Sequence, residues 1–281
     1  MKRVSRAELT NIVLEKFKKQ YLENTGLSET WINHTISRYR KELDDEKTPP
    51  FRGITYTEKY LNYDFKSKKV LIVGLGLSYT YVNDLIKKGA IVYGIEPDPK
   101  RIDVQYMNAQ LVNIPRERII KGVAEDLPFD DEMFDFVLCF TVLEHVQDVK
   151  KALSEMYRVL KKNSGVLFLE TPDFRYPYEP HYKIYIHKYF FGLRYLYTFL
   201  SPLIQKAIMK SIILILRRPT KYLQTINFLN EKKLKKIFLG YNWRFVQLFF
   251  STSDNTFFKK FIKFRDAISF LENGKPIEKS D

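Results

Sequence analysis

Short apolar blocks recur along the middle of the chain, and they alternate with segments in which apolar residues follow helical spacing. Runs rich in β-branched and aromatic residues predict five buried strands, at Val70–Val73, Ala90–Ile95, Arg118–Lys121, Phe134–Phe140 and Val166–Glu170. The intervening amphipathic segments predict three helices, at Tyr79–Lys88, Pro99–Gln110 and Asp148–Leu160. This alternation favours an α/β fold, with a doubly wound, mostly parallel sheet covered by helices on both faces.

The segment before the first strand has a helical pattern instead. Residues 5–23 predict an amphipathic helix, with Ser5 and Glu8 at the spacing of a capping box. A second helix is predicted at residues 28–43. Residues 51–69 are interpreted as a polar, tyrosine-bearing approach to the first strand.

The last third differs in character, because aromatic and aliphatic residues dominate residues 174–226. Pro202, Lys206 and Lys210 interrupt this segment, whereas a membrane-spanning helix needs about 20 mostly apolar residues. We therefore interpret it as an insertion on the core and not as a membrane span. Beyond it, the pattern predicts a helix from Asn230 to Leu239, a strand at Phe245–Phe250 and a last helix at Phe257–Phe270.

Composition limits the chemistry more than the fold. The single cysteine, Cys139, excludes an intramolecular disulfide and a cysteine-rich zinc site, which fits a reducing cytoplasm. The first 20 residues carry Lys, Arg and Glu throughout and have no apolar segment of the signal-peptide kind. The sequence therefore predicts a cytoplasmic protein and assigns no metal site.

The net charge of +14 is distributed unevenly. Residues 174–281 contain 20 basic and seven acidic residues, whereas residues 71–173 contain 12 basic and 16 acidic ones. Such a basic region would attract an anionic partner, which could be nucleic acid, a phospholipid surface or a phosphorylated substrate. A solvated basic surface without a partner explains the charge equally well.

Three candidate ligand contacts follow the carboxyl ends of successive predicted strands, where ligands bind in open α/β sheets. The first is the turn Gly74-Leu75-Gly76, because glycine lets backbone approach a ligand closely. The second is Glu96, which could accept hydrogen bonds from both hydroxyls of a ribose or could simply favour a helix N-terminus. The third is the loop Ala124–Phe129, which could border an adenine or lie as an acidic loop on the surface.

Between residues 60 and 174, these contacts belong to an ordered set of motifs. The set comprises Val70–Gly76, Glu96-Pro97, Gly122–Phe129, Phe134–Val137, Val142–Val146, Arg158–Lys161 and Gly165. It resembles the class I S-adenosylmethionine-dependent methyltransferases, and most closely the type 11 methyltransferase domain family. The resemblance implies a Rossmann-like, seven-stranded sheet with S-adenosyl-L-methionine as the cofactor.

The resemblance also implies roles at matching positions and a division of the chain. The turn Gly74-Leu75-Gly76 would approach the methionine part of the cofactor, and Glu96 would hold the ribose hydroxyls. Pro97 would lie near the adenine, which Ala124, Glu125 and Asp126 would border. Phe140 and Thr141 would line the wall near the sulfonium. The segments would be a helical N-terminal extension at 1–60, the cofactor-binding core at 61–174, a substrate-side insertion or lid at 175–226 and a C-terminal completion of the core at 227–281.

Methyl transfer to a hydroxyl also needs a base, and histidines are the candidates. His145 lies in the Leu143-Glu144-His145 motif, where the family often uses it structurally. His181 follows the fifth strand, where the acceptor should enter, and His187 is expected to pack in a helix. We therefore name His181 and His145 as the candidate catalytic residues.

The segment after the fifth strand carries a looser resemblance to methyltransferases found with glycan and glycolipid biosynthesis. It implies O-methylation of a sugar, glycan or glycolipid-type small acceptor. The basic, apolar stretch 184–218 could then contact an anionic membrane surface, so that the protein is peripheral to a membrane. A homodimer interface or a substrate lid is the alternative for this stretch.

Two other functions stay open at this point. An RNA methyltransferase would use the basic and aromatic residues to bind and stack bases, although no recognised RNA-binding motif is present. A catalytically inactive partner protein is suggested by departures from the family pattern. These are Leu77-Ser78 after the glycine pair, Val123 before Ala124, and the absence of an acid at Ile72 in the first strand.

Overall fold

The structure is a computed structural model. It describes residues 4–44, 51–77, 80–162, 164–172, 174, 178–179, 181–185, 197, 199–229, 234, 236–237, 245–251 and 267–273. The helices in this part of the chain are α1 (Arg6–Thr25), α2 (Glu29–Asp44), α3 (Arg52–Leu61), α4 (Thr80–Lys87), α5 (Pro99–Leu111), α6 (Val149–Val159), α7 (Pro202–Ile215) and α8 (Lys221–Gln224). The strands are β1 (Lys69–Val73), β2 (Ile91–Glu96), β3 (Ile119–Lys121), β4 (Phe136–Phe140), β5 (Val166–Pro172), β6 (Tyr178–Glu179), β7 (Ile184–Tyr185), β8 (Phe245–Ser251) and β9 (Ala267–Asn273).

The central sheet has the strand order β3-β2-β1-β4-β5-β9-β8. Strands β1 to β5 are parallel, whereas β9 runs antiparallel to both β5 and β8. Strand β5 has all seven residues buried, as expected for a strand covered on both faces. The predicted doubly wound, mostly parallel sheet is therefore confirmed, and the order reverses between β1 and β4, where such sheets bind ligands.

The N-terminal helices pack beside the sheet as the hydrophobic pattern indicates. Ser5 accepts a hydrogen bond from the Glu8 N–H, and the Glu8 carboxylate accepts one from the Ser5 N–H at 2.7 Å, which confirms the capping box. Leu9 and Val13 of α1 form a buried cluster with Val104 of α5. The division of the chain into four segments stays a prediction.

The interpretation of residues 51–69 as a polar approach was wrong, because residues 52–61 form α3. Ile54 and Thr57 lie three positions apart on a fully buried face, so this polar-looking segment is amphipathic. The Phe51 N–H donates to the Asp84 carboxylate of α4 at 2.9 Å, and Glu58 pairs with Lys88, the residue just after α4. Contacts with α4, which local sequence does not specify, therefore stabilise this helix.

The predicted final helix at Phe257–Phe270 was also wrong where the structure describes it. Residues 267–270 belong to β9, and residues 257–266 lie outside the described residues. Pairing with β5 on one side and β8 on the other overrides the helical spacing of the aromatic residues. The strand predicted at 245–250 is confirmed as β8, whereas the helix predicted from Asn230 to Leu239 falls largely outside the described residues.

The segment after β5 forms an apolar cluster of its own. Its buried members are Phe174, Tyr182, Ile184, Tyr197, Met209, Ile212, Ile213, Leu223, Ile226 and Phe228. Asn227 joins this cluster to the core, since its side-chain amide donates to the carbonyls of Leu143 and Val146 at 3.2 and 2.6 Å. Among the helices of the described residues, none combines the length and the apolarity that crossing a bilayer requires.

Candidate active site

The glycine turn lies where β1 ends, in the crevice between β1 and β4. Gly74 and Gly76 have φ angles of +75° and +61°, which glycine adopts without steric cost. A Cβ atom on Gly74 would lie 2.4 Å from Cγ2 of Val142, so the turn packs directly on the loop after β4. A Cβ atom on Gly76 would meet nothing within 4 Å. Backbone at Gly76 therefore faces open space, as close approach of a ligand requires.

Glu96 is the last residue of β2, and its side chain turns back towards this glycine turn. The carboxylate accepts hydrogen bonds from the Gly76 N–H at 2.7 Å and from the Asp98 N–H at 3.1 Å. The residue is 2% exposed, and burial raises the pKa of its carboxyl, although the Gly76 N–H and the Arg101 guanidinium oppose that shift. Each carboxylate oxygen has a further lone pair, so both can accept a ribose hydroxyl as well.

These observations fit the cofactor that the family resemblance implies. Gly76 leaves room for a ligand beside a buried carboxylate, and Leu75 is held away from this space against Gly94 of β2. Leu77, which departs from the family pattern, packs into the α1 cluster and is only 8% exposed. It therefore does not obstruct the turn, while Ser78 lies outside the described residues.

The residues predicted to lie near the adenine differ in their exposure and contacts. Ala124 is buried and Asp126 is exposed, whereas Pro97 is exposed beside Glu96. The Glu125 carboxylate accepts hydrogen bonds from the Gln147 and Asp148 N–H groups at 2.6 and 3.2 Å. Glu125 thus ties its loop to the start of α6. Its role at an adenine stays a prediction, as do the roles of its two neighbours.

The end of β4 forms the wall next to the glycine turn. Thr141 has a φ angle of +53°, an unusual conformation for a β-branched residue, and its N–H donates to the Glu170 carbonyl at 2.8 Å. Phe140 makes an edge-to-face contact with Phe51, with ring centroids 4.7 Å apart. Thr141 is therefore the exposed member of this pair, and Phe140 supports it from the core.

Beyond Thr141, the structure brings both candidate catalytic histidines together. The rings of His145 and His181 meet edge to face with centroids 5.0 Å apart, and Tyr222 of α8 contacts both rings. His181 Nδ1 lies 2.6 Å from the Glu179 carboxylate, and His145 Nε2 lies 4.0 Å from Oε1 of Glu144. His187 lies outside the described residues.

The charges of this cluster are strongly coupled. Burial and the neighbouring His181 lower the pKa of His145. Burial also opposes a charge on His181, but the carboxylates of Glu179 and Glu144 outweigh it, so the pKa of His181 lies above its usual value. Burial raises the pKa of Glu144 to about 7, despite the counteracting charge of His181. The arrangement can hold or release a proton next to the exposed face of His145.

Sequence reasoning missed the two carboxylates that complete the cluster. Glu144 and Glu179 are both fully buried, which the sequence does not reveal. Their positions beside the two histidines, in Leu143-Glu144-His145 and Glu179-Pro180-His181, were the available signal. Arg101 was also missed, although its guanidinium acts to lower the pKa of both Glu96 and His145, against the effect of burial at Glu96 and together with burial at His145. The cofactor side and the histidine side therefore share one electrostatic environment.

Comparison with known proteins agrees with this geometry. A family model described as "Methyltransferase domain" matches residues 71–169. A demethylmenaquinone methyltransferase from Staphylococcus epidermidis is 33% identical over 156 residues, which cover 54% of this chain and 57% of that protein. Methyltransferase YcgJ from Bacillus subtilis is 32% identical over 108 residues, which cover 36% of this chain and 40% of that protein. The chain thus spans about half the length of the curated relatives it matches.

Solved structures share the fold over a longer stretch. A SAM-dependent methyltransferase from Aquifex aeolicus has a TM-score of 0.50 at 14% identity, covering 83% of this chain and 95% of that structure. The PH0226 protein from Pyrococcus horikoshii also has a TM-score of 0.50, at 16% identity, covering 85% and 99%. The matched domain, the strand order and the glycine turn with Glu96 agree with one another. Residues 71–169 thus match a methyltransferase domain, and the sheet that contains them has the fold of a solved S-adenosylmethionine-dependent methyltransferase.

Proposed function

We propose that this chain transfers a methyl group from S-adenosyl-L-methionine to an oxygen atom of a sugar, glycan or glycolipid-type acceptor. The observation that carries the proposal is the continuity of two sites. Val142 packs on Gly74 of the cofactor turn, and His145 follows three residues later beside His181. A donor on the glycine side and an acceptor on the histidine side would therefore face each other across the β1–β4 crevice.

The bound cofactor supplies a methyl group on a sulfonium, which is already activated for displacement. The chain therefore needs mainly to hold an acceptor oxygen in line with that methyl group, since proximity can supply much of the acceleration. In the reaction a C–O bond forms and the C–S bond breaks, with its electron pair left on sulfur. The hydroxyl proton of the acceptor would be released next to His145 and His181, which we propose line the acceptor site.

Charge supports an acceptor linked to an anionic group or surface. Residues 180–230 contain eight basic residues and no acidic residue. Helix α7 buries Met209, Ile212 and Ile213 on one side, yet Leu203 and Leu214 on its other side are 80% and 56% exposed. A helix that is apolar on both sides, in a segment rich in basic residues, has the character of one lying at an anionic bilayer surface. These features support our proposal that the acceptor site lies beside a membrane face.

We expect this face to bind anionic vesicles. Replacing Leu203 and Leu214 together with serine should weaken binding to phosphatidylglycerol vesicles by about 10- to 100-fold, because two side chains that enter the bilayer interface are lost. Vesicle flotation measures the effect, and Val123→Ser, which changes a 44% exposed side chain in the core domain, is the matched control. Equal binding by the double variant and the parent would contradict the proposed face.

The acceptor class is tested by methylation assays with the full chain. A panel of membrane glycolipids, nucleotide sugars, lipid quinones and RNA should give mass-shifted product from the glycolipid or sugar arm. The quinone arm is included because relatives of this chain are named demethylmenaquinone methyltransferases. Product from RNA alone, with binding that falls steeply with salt, would favour the RNA methyltransferase. No product in any arm, with no cofactor binding, would favour the inactive partner protein.

A further inference from the structure

We propose that Glu144, His145 and His181 together bind one divalent first-row transition-metal cation. One ligand atom from each side chain can be chosen so that all three lie within 4.8 Å of one another. Ligand atoms around a tetrahedral cation lie about 3.4 Å apart when metal–ligand distances are about 2.1 Å. Side-chain movements of about 1–2 Å would therefore close the set around a cation.

The carboxylate of Glu144 is the strongest part of the evidence. The side chain is fully buried, and its Oε2 accepts a hydrogen bond from the Thr171 hydroxyl at 3.0 Å. Its other oxygen, Oε1, has no hydrogen-bond partner within the described part of the chain and faces His145. Because buried polar atoms are nearly always paired, an unpartnered oxygen between two imidazoles indicates a ligand.

His181 has the hydrogen bond that metal-binding histidines characteristically make. Its Nδ1 lies 2.6 Å from the carboxylate of Glu179, which is fully buried, so Nε2 is the nitrogen available to a cation. A carboxylate behind a ligating histidine fixes its ring orientation and increases its basicity. The ring is 15% exposed, and its contact with Tyr222 restricts it further.

The backbone that carries the other two ligands is also held in place. Asn227 donates its N–H to the Glu144 carbonyl at 2.6 Å, and its side chain bonds to the carbonyls on either side of the Glu144–His145 pair. The His145 side chain is 32% exposed, so a cation here would keep an open position towards solvent. Sites with three protein ligands and an open position are typical of catalytic rather than structural metals.

The ligand types restrict the cation and indicate what it would do. Two imidazoles with one carboxylate suit zinc, cobalt, iron or manganese, whereas magnesium and calcium prefer oxygen ligands alone. The cation would bind the acceptor oxygen at its open coordination position and lower the pKa of the acceptor hydroxyl. This catalytic role rests on the function proposed above, whereas the metal binding itself does not.

The binding is tested without cofactor or acceptor. The full chain is treated with a chelator and then titrated with Co²⁺, Zn²⁺ and Mg²⁺, with calorimetry and the visible absorption of Co²⁺ as readouts. We expect one Co²⁺ per chain, displaced by Zn²⁺, and far weaker binding of Mg²⁺. Failure of Co²⁺ and Zn²⁺ to bind the parent chain would overturn the site, even if methyl transfer were established.

Variants assign the binding to this cluster. His145→Ala changes a partly exposed side chain and Glu144→Gln keeps the buried shape, so circular dichroism should show both folded. Each should weaken Co²⁺ binding by at least the roughly 10–100-fold that loss of an outer-shell partner costs. His34→Ala, at an exposed position in α2, is the control and should bind as the parent does. Parent-like Co²⁺ binding by both cluster variants would overturn the proposal.

Discussion

Glutamine in place of Glu96 should weaken the binding of S-adenosylmethionine by about 10- to 100-fold, because a hydrogen bond to a charged acceptor contributes about 1.5–3 kcal/mol. The substitution keeps the shape of the buried side chain but removes its charge. The carboxylate now accepts hydrogen bonds from the Gly76 and Asp98 N–H groups, and the amide NH₂ group of glutamine would face one of these two donors without being able to accept its bond. Isothermal calorimetry at neutral pH measures the change in affinity.

The adjacent carboxylate provides a matched control for this substitution. Asp98 caps α5 by accepting a hydrogen bond from the Lys100 N–H, a role that asparagine performs equally well. Asp98→Asn should therefore change the affinity for the cofactor by less than about threefold. Equal losses for the two variants would indicate a general effect of acidic charge and would contradict a specific contact at Glu96.

The pH dependence of stability separates binding from folding in the Glu96→Gln variant. Burial raises the pKa of Glu96 in the folded chain above its unfolded value, so the folded state binds more protons between those two values. The cofactor-free parent should therefore gain stability relative to the variant as the pH falls from neutral into that window. Thermal unfolding at several pH values measures this difference, and the opposite sign would contradict the burial of the ionised carboxylate.

Alanine at Gly74 and alanine at Gly76 should have different effects, although both residues have positive φ. Backbone strain costs about 1–2 kcal/mol at either position. At Gly74 a Cβ atom would also clash with Val142, which adds a further cost of about 1–3 kcal/mol. We expect Gly74→Ala to lower the unfolding temperature by several degrees more than Gly76→Ala does.

Cofactor binding should show the opposite order once stability is accounted for. The Cβ atom of Gly76→Ala would point into open space, so any affinity lost beyond the strain reflects a ligand in that space. Under conditions where both variants are fully folded, we expect the affinity for S-adenosylmethionine to fall further in Gly76→Ala than in Gly74→Ala. If Gly76→Ala bound the cofactor as the parent does, the space it faces would not be the cofactor site.

The parallel part of the sheet, β1 to β5, was predictable from the sequence because its strands are short and apolar, and most of them are separated by amphipathic helices. Strands buried on both faces, such as β5, have continuous apolar runs that are easily distinguished from amphipathic segments. The glycine turn and Glu96 were predictable for the same reason, since topology places the carboxyl ends of β1 and β2 at one edge. Local pattern and tertiary structure agree throughout this region.

The acceptor side was less predictable because it depends on contacts between distant segments. His145 and His181 were named from the sequence, but their contact depends on how the segment after β5 folds back. Asn227 holds that segment in place by hydrogen bonds to the carbonyls of Leu143 and Val146, which lie 84 and 81 positions earlier in the chain. The burial of Glu144 and Glu179 depends on the same packing. Helix α3 and strand β9 were misassigned because partners elsewhere in the chain decide their conformation.

The central claim is that the crevice beside Gly76 and Glu96 binds S-adenosylmethionine, and calorimetric titration of the full chain tests it most directly. We predict saturable binding of one cofactor per chain, with competition by S-adenosylhomocysteine and loss in the Glu96→Gln variant. Absence of measurable heat at millimolar S-adenosylmethionine, with the chain folded, would contradict the account and leave the fold as that of a protein without methyltransferase activity.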